Sequence, residues 1–590
     1  MTRPLLPFLD LRAWRAADLL PDLTSAAVVT VLSVPQGLAY AMIAGLPPVV
    51  GLYASIVPAI VGGLFRSSRH VVAGPTNALS LLVGTSVAAL VGSTGANPVA
   101  LALTLALLVG ALQVGAGLLR LGALVDYIST PVVLGYVSGA GVLIGVGQLG
   151  NLTGTSMHGA TLPAQLLHWL EGLGATNPWA LGIGLGTTAL VVGLRRLDPR
   201  IPGGLLAMAA ALGVSVAFDL PAHGMRTIAD VARVPGKLPP LTIPSLAHAA
   251  ALLPAAVAIA VLSLVESASV ARAIAGRTGD RVEPSVEFLG QGLANLSAAF
   301  TGGYPVSGSL GRSMANWRSG ARTRLAGAFG GVMVAGVVLF AGPLVDHTPI
   351  ASLAGLLLVL AWDLVDRARI RLVFQSGRGD IAAFLVTLVG AWVLDLDKAI
   401  YLGVLISLVL FLRRARLVSA AELTVDAGNH LRETPTDPTG DEDDLPPPAE
   451  PVHRCTAIRV LHVEGSLFFG AAGELEEILD TALRDPDVRV LVLRVKRCHG
   501  LDLTTAEVLR ACAGQMRARG RLLVLVGMRP TVSERMEALG LPAAVGRENL
   551  FPTEPGWFVA MDAALRRALA FVGEHEADCP IEGYLEGREG

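Results

Sequence analysis

The chain has 590 residues, 53% of them apolar and only 16% charged, with a mean hydropathy of +0.60. That is far too apolar for a soluble protein of this size and predicts a polytopic α-helical membrane protein embedded in a lipid bilayer. The formal net charge is −2, and the basic residues are scattered over short loops, so no basic patch is available to bind nucleic acid.

Residues 1–22 contain Arg3, Arg12 and Arg15 but neither an apolar signal core nor a cleavage site, and are expected to stay as a cytoplasmic segment. Apolar windows then predict spans at 23–43, 49–65, 76–92, 97–119, 129–150, 178–194, 203–218, 251–274, 286–302, 308–317, 325–345, 349–362, 380–394 and 398–412. The shorter ones read as half-helices or tilted neighbours. Glycines such as those of Gly139-Ala140-Gly141 and Gly182-Ile183-Gly184-Leu185-Gly186 are expected to let helix backbones approach closely. Basic residues fall in alternate loops. One side collects 22 of them, counting the amino-terminal arginines, whereas the opposite loops hold Arg226, Arg233, Lys237 and Lys398. The positive-inside rule therefore puts both termini in the cytoplasm.

Within the first span, Val34-Pro35-Gln36-Gly37-Leu38-Ala39-Tyr40 is expected to interrupt the helix. Gln36 offers a donor and an acceptor without the cost of a charge, suited to a polyatomic anion or to an interhelical bond. Tyr40 lies one turn further on the same face, where it either walls a pocket or packs.

Val71-Val72-Ala73-Gly74-Pro75-Thr76-Asn77 ends one apolar segment and starts another at Thr76. A second break, Thr301 to Asn316, contains four glycines and a proline before its helix restarts near Ser309. Pro75 and Pro305 lie about 230 residues apart, nearly the offset between the helices that begin near Leu23 and Ala251, as expected of two structural repeats with paired discontinuous helices. Irregular backbone is tolerated in a bilayer only where protein or an aqueous cavity covers it. A half-helix amino terminus there, with its free N–H groups, is a natural anion seat. These breaks predict an anion transporter.

Two charges stand near these breaks. Glu266 is the only charged residue of the window 251–271 and lies roughly 12 Å from the cytoplasmic end at 1.5 Å per residue. At that depth a charge costs at least about 2.5 kcal/mol, so it should face an aqueous cavity, a cation or a proton relay, or else be held by a neighbouring helix. Arg312, in the first turn of the second half-helix, needs solvent, Glu266 or the substrate as company, or forms a structural ion pair.

Residues 426–451 are rich in Pro, Asp, Glu and Thr and read as a flexible linker. Beyond it strand-like segments (457–463, 488–495, 521–526) alternate with helical ones (473–483, 505–519, 531–539, 557–570), which predicts a small α/β domain over 452–590. All four cysteines, Cys455, Cys498, Cys512 and Cys579, lie there without metal-ligand spacing and read as reduced cytosolic thiols. No nucleophile elbow, Walker-type loop or metal-ligand set occurs in the chain. It is expected to be no enzyme, to need no cofactor or metal, and to be driven by gradients rather than ATP.

With these motifs laid out, the chain resembles the sulfate permease (SulP) family, whose relatives include the animal multifunctional anion exchangers and prestin. The resemblance rests on Pro35-Gln36-Gly37-Leu38-Ala39-Tyr40-Ala41-Met42, Gly45-Leu46-Pro47-Pro48-Val49-Val50-Gly51-Leu52-Tyr53, Ser67-Ser68-Arg69-His70 with Gly74-Pro75, and Gly308-Ser309-Leu310-Gly311-Arg312-Ser313. It implies a transporter domain over 23–419 of fourteen spans, arranged as two inverted repeats of seven and divided into core and gate domains that work as an elevator. It also implies a homodimer in the inner (plasma) membrane. An anion of the sulfate, bicarbonate or dicarboxylate class would bind at Gln36, Tyr40, Thr76, Leu310, Gly311 and Arg312, with Glu266 as the coupling residue. Some relatives carry a serine at the Gly311 position, so side-chain ligation is not implied there. Sodium-coupled bicarbonate relatives place a threonine one turn after an aspartate, whereas Val270 follows Glu266 here, which leaves proton symport or anion exchange ahead of sodium coupling. An uncoupled anion channel and a membrane-tethered signalling module are the alternatives.

The carboxy-terminal domain resembles the STAS modules of that family through Leu467-Phe468-Phe469-Gly470-Ala471, Gly500-Leu501-Asp502-Leu503-Thr504-Thr505-Ala506 and Asn549-Leu550-Phe551-Pro552-Thr553. Thr504 or Thr505 matches the phosphorylatable position of soluble antagonists and is read instead as the amino-terminal cap of the next helix.

Overall fold

The structure, a computed structural model, describes residues 15–157, 162–198, 201–394, 396–426, 428–435, 455–556, 558–573 and 579–588. Arg3, Arg12, Arg200, Trp557 and positions 436–451 of the expected linker lie outside the described residues. The chain divides into two units, Met1–Leu408 and Val409–Gly590.

The first unit is helical. Among its described residues eight helices are long and apolar enough to cross a membrane: Ala16–Ile43, Pro48–Phe65, Asn77–Thr94, Pro98–Leu118, Thr130–Thr153, Pro178–Leu197, Ala249–Thr278 and Leu325–Val345. The first of these corrects the sequence reading. Its α-helix runs unbroken from Leu19 to Ile43 with Pro35 inside it. The Thr30 and Ser33 hydroxyls donate to the carbonyls of Ala26 and Val29 one turn back within the same helix. The second expected span divides instead, into Pro48–Tyr53 and Val57–Phe65. Two short helices, Leu162–Glu171 and Arg367–Gln375, were not predicted.

Backbone contact through small residues holds the helices together. A Cβ on Gly110 would sit 2.7 Å from the Leu296 nitrogen, and one on Gly292 2.6 Å from the Val114 nitrogen, so Pro98–Leu118 and Pro284–Phe300 touch main chain to main chain. Gly139, Gly141 and Gly184 are similarly crowded, as expected, but Gly182 and Gly186 face open space.

The second unit is an α/β domain. Two strands belong to the membrane unit, β1 (Ala73–Gly74) and β2 (Ser307–Gly308), and the remaining six form one sheet here: β3 (Ser419–Val425), β4 (Leu431–Pro435), β5 (Ile458–Ser466), β6 (Val490–His499), β7 (Leu522–Met528) and β8 (Leu550–Pro552). Their order is β4-β3-β5-β6-β7-β8, with β5 to β8 parallel and the β3–β4 hairpin antiparallel. Each face of the sheet buries its own apolar cluster, one around Leu475, Leu491 and Leu509, the other around Val460, Val492 and Leu565. β4 occupies residues that composition assigned to the linker. The helix after β6, Leu503–Ala518, is capped by Asp502, whose carboxylate accepts from the Thr505 N–H at 2.9 Å and the Thr505 hydroxyl at 2.7 Å. Neither Thr504 nor Thr505 is therefore the cap. Asp502→Ala should lower the stability of this domain by about 1 kcal/mol, the usual worth of an amino-terminal cap, as read by chemical denaturation followed through far-ultraviolet dichroism.

Candidate functional site

The two breaks expected from glycine and proline come together in the membrane unit as an antiparallel crossing. Ala73 pairs with Gly308 and Gly74 with Ser307 across β1 and β2, and the Ser309 N–H donates to the Val72 carbonyl at 3.1 Å. From this crossing each strand leads into a half-helix: Asn77–Thr94 from the first, Leu310–Arg318 from the second. The two helices leave the crossing in opposite directions, so that the positive ends of both dipoles are turned toward it. Ser309 caps the second half-helix, its hydroxyl oxygen accepting from the Arg312 N–H at 3.5 Å, and among the described residues no protein acceptor meets the Leu310 and Gly311 N–H groups.

Thr76 stands at the cap position of the first half-helix but does not cap it; its hydroxyl donates to Glu266 Oε2 at 3.1 Å. Two residues singled out from separate motifs are thereby joined. The Ser307 hydroxyl of β2 is the second polar neighbour of that carboxylate. Arg312 is fully buried and turns toward the opposite break, its Nη2 donating to the Pro75 carbonyl at 2.6 Å, while its Nε and Nη1 have no partner among the described residues. Glu266 is not its counter-ion. A Cβ on Gly74 would fall 2.6 Å from Arg312 Nη1, so a side chain there would displace the guanidinium.

The Leu19–Ile43 helix packs against both half-helices. Tyr40 on it is buried, with Arg312, Glu266 and Asp363 as its charged neighbours. Gln36, one turn earlier, is half-buried, and its Oε1 has no donor among the described residues. Leu310 is 51% exposed, and a Cβ on Gly311 would meet nothing within 4 Å, so the first turn of the second half-helix borders open space. Among the described residues, Nε and Nη1 of Arg312, Oε1 of Gln36 and the Leu310 and Gly311 N–H groups thus lack protein partners, all on elements that meet at or pack against the crossing.

Sequence reasoning missed the residues that hold the crossing in place. Asn295 accepts from the Val306 N–H at 2.7 Å, donates to the Val306 carbonyl at 3.1 Å and donates to Gln113 at 2.8 Å. Gln291 and Ser263 donate to the same carbonyl at 2.6 and 3.0 Å, and Tyr304 bonds Ser80 of the first half-helix at 2.7 Å. The available signal was the run Glu287, Gln291 and Asn295, spaced four apart and so on one face of a largely apolar helix. Arg66, read as a loop residue of the basic side, is fully buried between Ser267, Gln291 and Glu287. Asn295→Leu should destabilise the folded protein by about 1–3 kcal/mol by orphaning the Val306 N–H, measured as a lower thermal transition in detergent.

In the α/β domain Glu433, His462 and Glu464 converge, but Arg494 Nη1 lies 3.2 Å from His462 and Arg497 pairs with Glu464. Those guanidiniums supply the positive charge a metal ion would bring.

Broken helices that cross within a bundle of apolar spans define a membrane transporter. The sulfate permease family model matches residues 19–387 and the STAS domain model residues 451–555. The chain belongs to the sulfate permease family; it is an anion transporter, not an enzyme, and it carries a STAS domain. It is 30% identical to a probable sulfate transporter of Mycobacterium tuberculosis over 94% of this chain and 96% of that one. It is 32% identical to human solute carrier family 26 member 6 over 70% of this chain and 57% of that one. In fold it is similar to the murine solute carrier 26 family member A9 anion transporter in its inward-facing state, with a TM-score of 0.84 at 19% identity, covering 96% of this chain and 94% of that one.

Proposed function

We propose that this protein is a secondary active anion transporter that carries a small anion of the sulfate, bicarbonate or dicarboxylate class together with protons. The anion sits between the two half-helix amino termini. Gln36, Tyr40, Thr76, Leu310, Gly311 and Arg312 surround it, the leucine and glycine through backbone N–H. Glu266 carries the coupling proton. The observation that supports this reading best is the Thr76–Glu266 hydrogen bond, which ties the one acid of this helix to the start of the anion seat, so that protonation and anion binding can act on each other. Helices bearing the seat pack on one another, which supports movement of the seat as a unit, an elevator. Both termini are assigned to the cytoplasm, the protein to the inner membrane as a homodimer.

The test is radiolabelled uptake into proteoliposomes for sulfate, bicarbonate, chloride and a C4-dicarboxylate under imposed pH or sodium gradients. Accumulation of one anion driven by an inward proton gradient, and not by sodium, is expected. Anion current without stoichiometric proton entry would instead identify a channel.

A further inference from the structure

Cys455 and Cys579 lie 124 residues apart in sequence, yet their sulfurs are 2.7 Å from each other in the α/β domain. No atom fits between them. Nonbonded carbon atoms rest at roughly 3.5–4.0 Å, so the two thiols already occupy the positions from which a bond forms. Cys455 lies just ahead of β5, separated from it by Thr456 and Ala457, on the same domain face as Val460 and Leu565. Cys579 is the residue before the short helix Pro580–Glu586. That helix is otherwise held by Ile581, Tyr584 and Leu585 against the apolar cluster, by the Tyr584 hydroxyl on Asp562 at 3.0 Å, and by Asn429 donating to the Gly583 carbonyl at 3.1 Å. The other two cysteines lie elsewhere: Cys498 is buried with its thiol on the Val463 carbonyl, and Cys512 is buried in the cluster on the opposite face.

We propose that Cys455 and Cys579 are a reversible disulfide site, a redox latch that fastens the carboxy-terminal helix to the root of β5. In a reducing compartment the pair rests as two thiols, and oxidation is transient. The oxidant is a low-molecular-weight disulfide. Cys455 is the more exposed of the two; its thiol gives up a proton, and the thiolate sulfur attacks the small disulfide and expels one thiolate, which takes up a proton, leaving a mixed disulfide. The Cys579 thiol then gives up its proton, and its sulfur attacks the Cys455 sulfur and expels the second small thiolate. Two protein thiols are oxidised, one small disulfide is reduced to two thiols, and the protons balance.

The full-length protein in detergent micelles would be incubated with oxidised glutathione or with dithiothreitol. It would then be alkylated under denaturing conditions and mapped without reduction by mass spectrometry. Oxidation should remove two of the four alkylatable thiols and yield one peptide pair joining Cys455 to Cys579, with Cys498 and Cys512 fully alkylated and dithiothreitol restoring all four. Cys455→Ser and Cys579→Ser should each abolish the joined pair. Alkylation of both Cys455 and Cys579 after oxidation, a bond from either one to Cys498 or Cys512, or a bond between two copies of the chain would each overturn the proposal.

Discussion

Replacing Glu266 by Gln is expected to abolish proton-driven accumulation while leaving the protein folded. Glutamine keeps a side-chain oxygen at the position that accepts from Thr76, so the link to the first half-helix survives, but it cannot take up or release a proton. Each pH unit of gradient supplies about 1.4 kcal/mol per coupled proton, enough for roughly tenfold accumulation of anion at one proton per turnover. The variant should sit at about onefold under the same gradient, since no proton movement accompanies the anion. Radiolabelled uptake into proteoliposomes with an imposed gradient reads this, and size-exclusion chromatography in detergent reports the fold. Undiminished proton-driven accumulation in Glu266→Gln would remove the role assigned to this residue.

Arg312→Met should cost more in binding than any other single change at the seat. Arg312 is fully buried, its Nη1 and Nε have no partner among the described residues, and it stands in the first turn of the second half-helix. A hydrogen bond to a charged group contributes about 1.5–3 kcal/mol, so its loss should weaken apparent anion affinity roughly 10- to 150-fold. Methionine also leaves the Pro75 carbonyl without its donor, at a further cost to stability of about 1–3 kcal/mol. Arg312→Lys separates the two effects. It restores the charge but not the planar fork that reaches Pro75 and the seat together, and should recover folding before it recovers affinity. Calorimetric or fluorescence titration of the anion against both variants, beside their thermal transitions, makes the comparison.

Both breaks were legible in the sequence because Gly74-Pro75 and the run from Gly302 to Gly311 cannot continue a helix, and their common offset disclosed the repeat. Pro35 shows the limit of that reasoning. Proline alone did not stop the first helix, since a membrane helix tolerates one missing N–H where neighbouring protein covers it, and Pro35 is buried. The Thr76–Glu266 bond could not be foreseen, since it depends on how β1 crosses β2 rather than on any local pattern. The same holds for Arg312: composition said that so deep a charge needs company, but only the crossing reveals a proline carbonyl as its partner. Asn295 and Gln291 fall inside the predicted span 286–302, and they are the brace for Val306. In the α/β domain the alternation of strands and helices was readable, whereas β4 was hidden by the acidic, proline-rich composition that begins beside it.

The most direct measurement is an anomalous-scattering map of crystals soaked with selenate or bromide in place of lighter anions. The account predicts one strong peak within hydrogen-bond reach of the first-turn N–H groups of both Asn77–Thr94 and Leu310–Arg318, beside Arg312 and Gln36. A peak bound elsewhere in the membrane unit, with the space between those two helix starts empty, would contradict it.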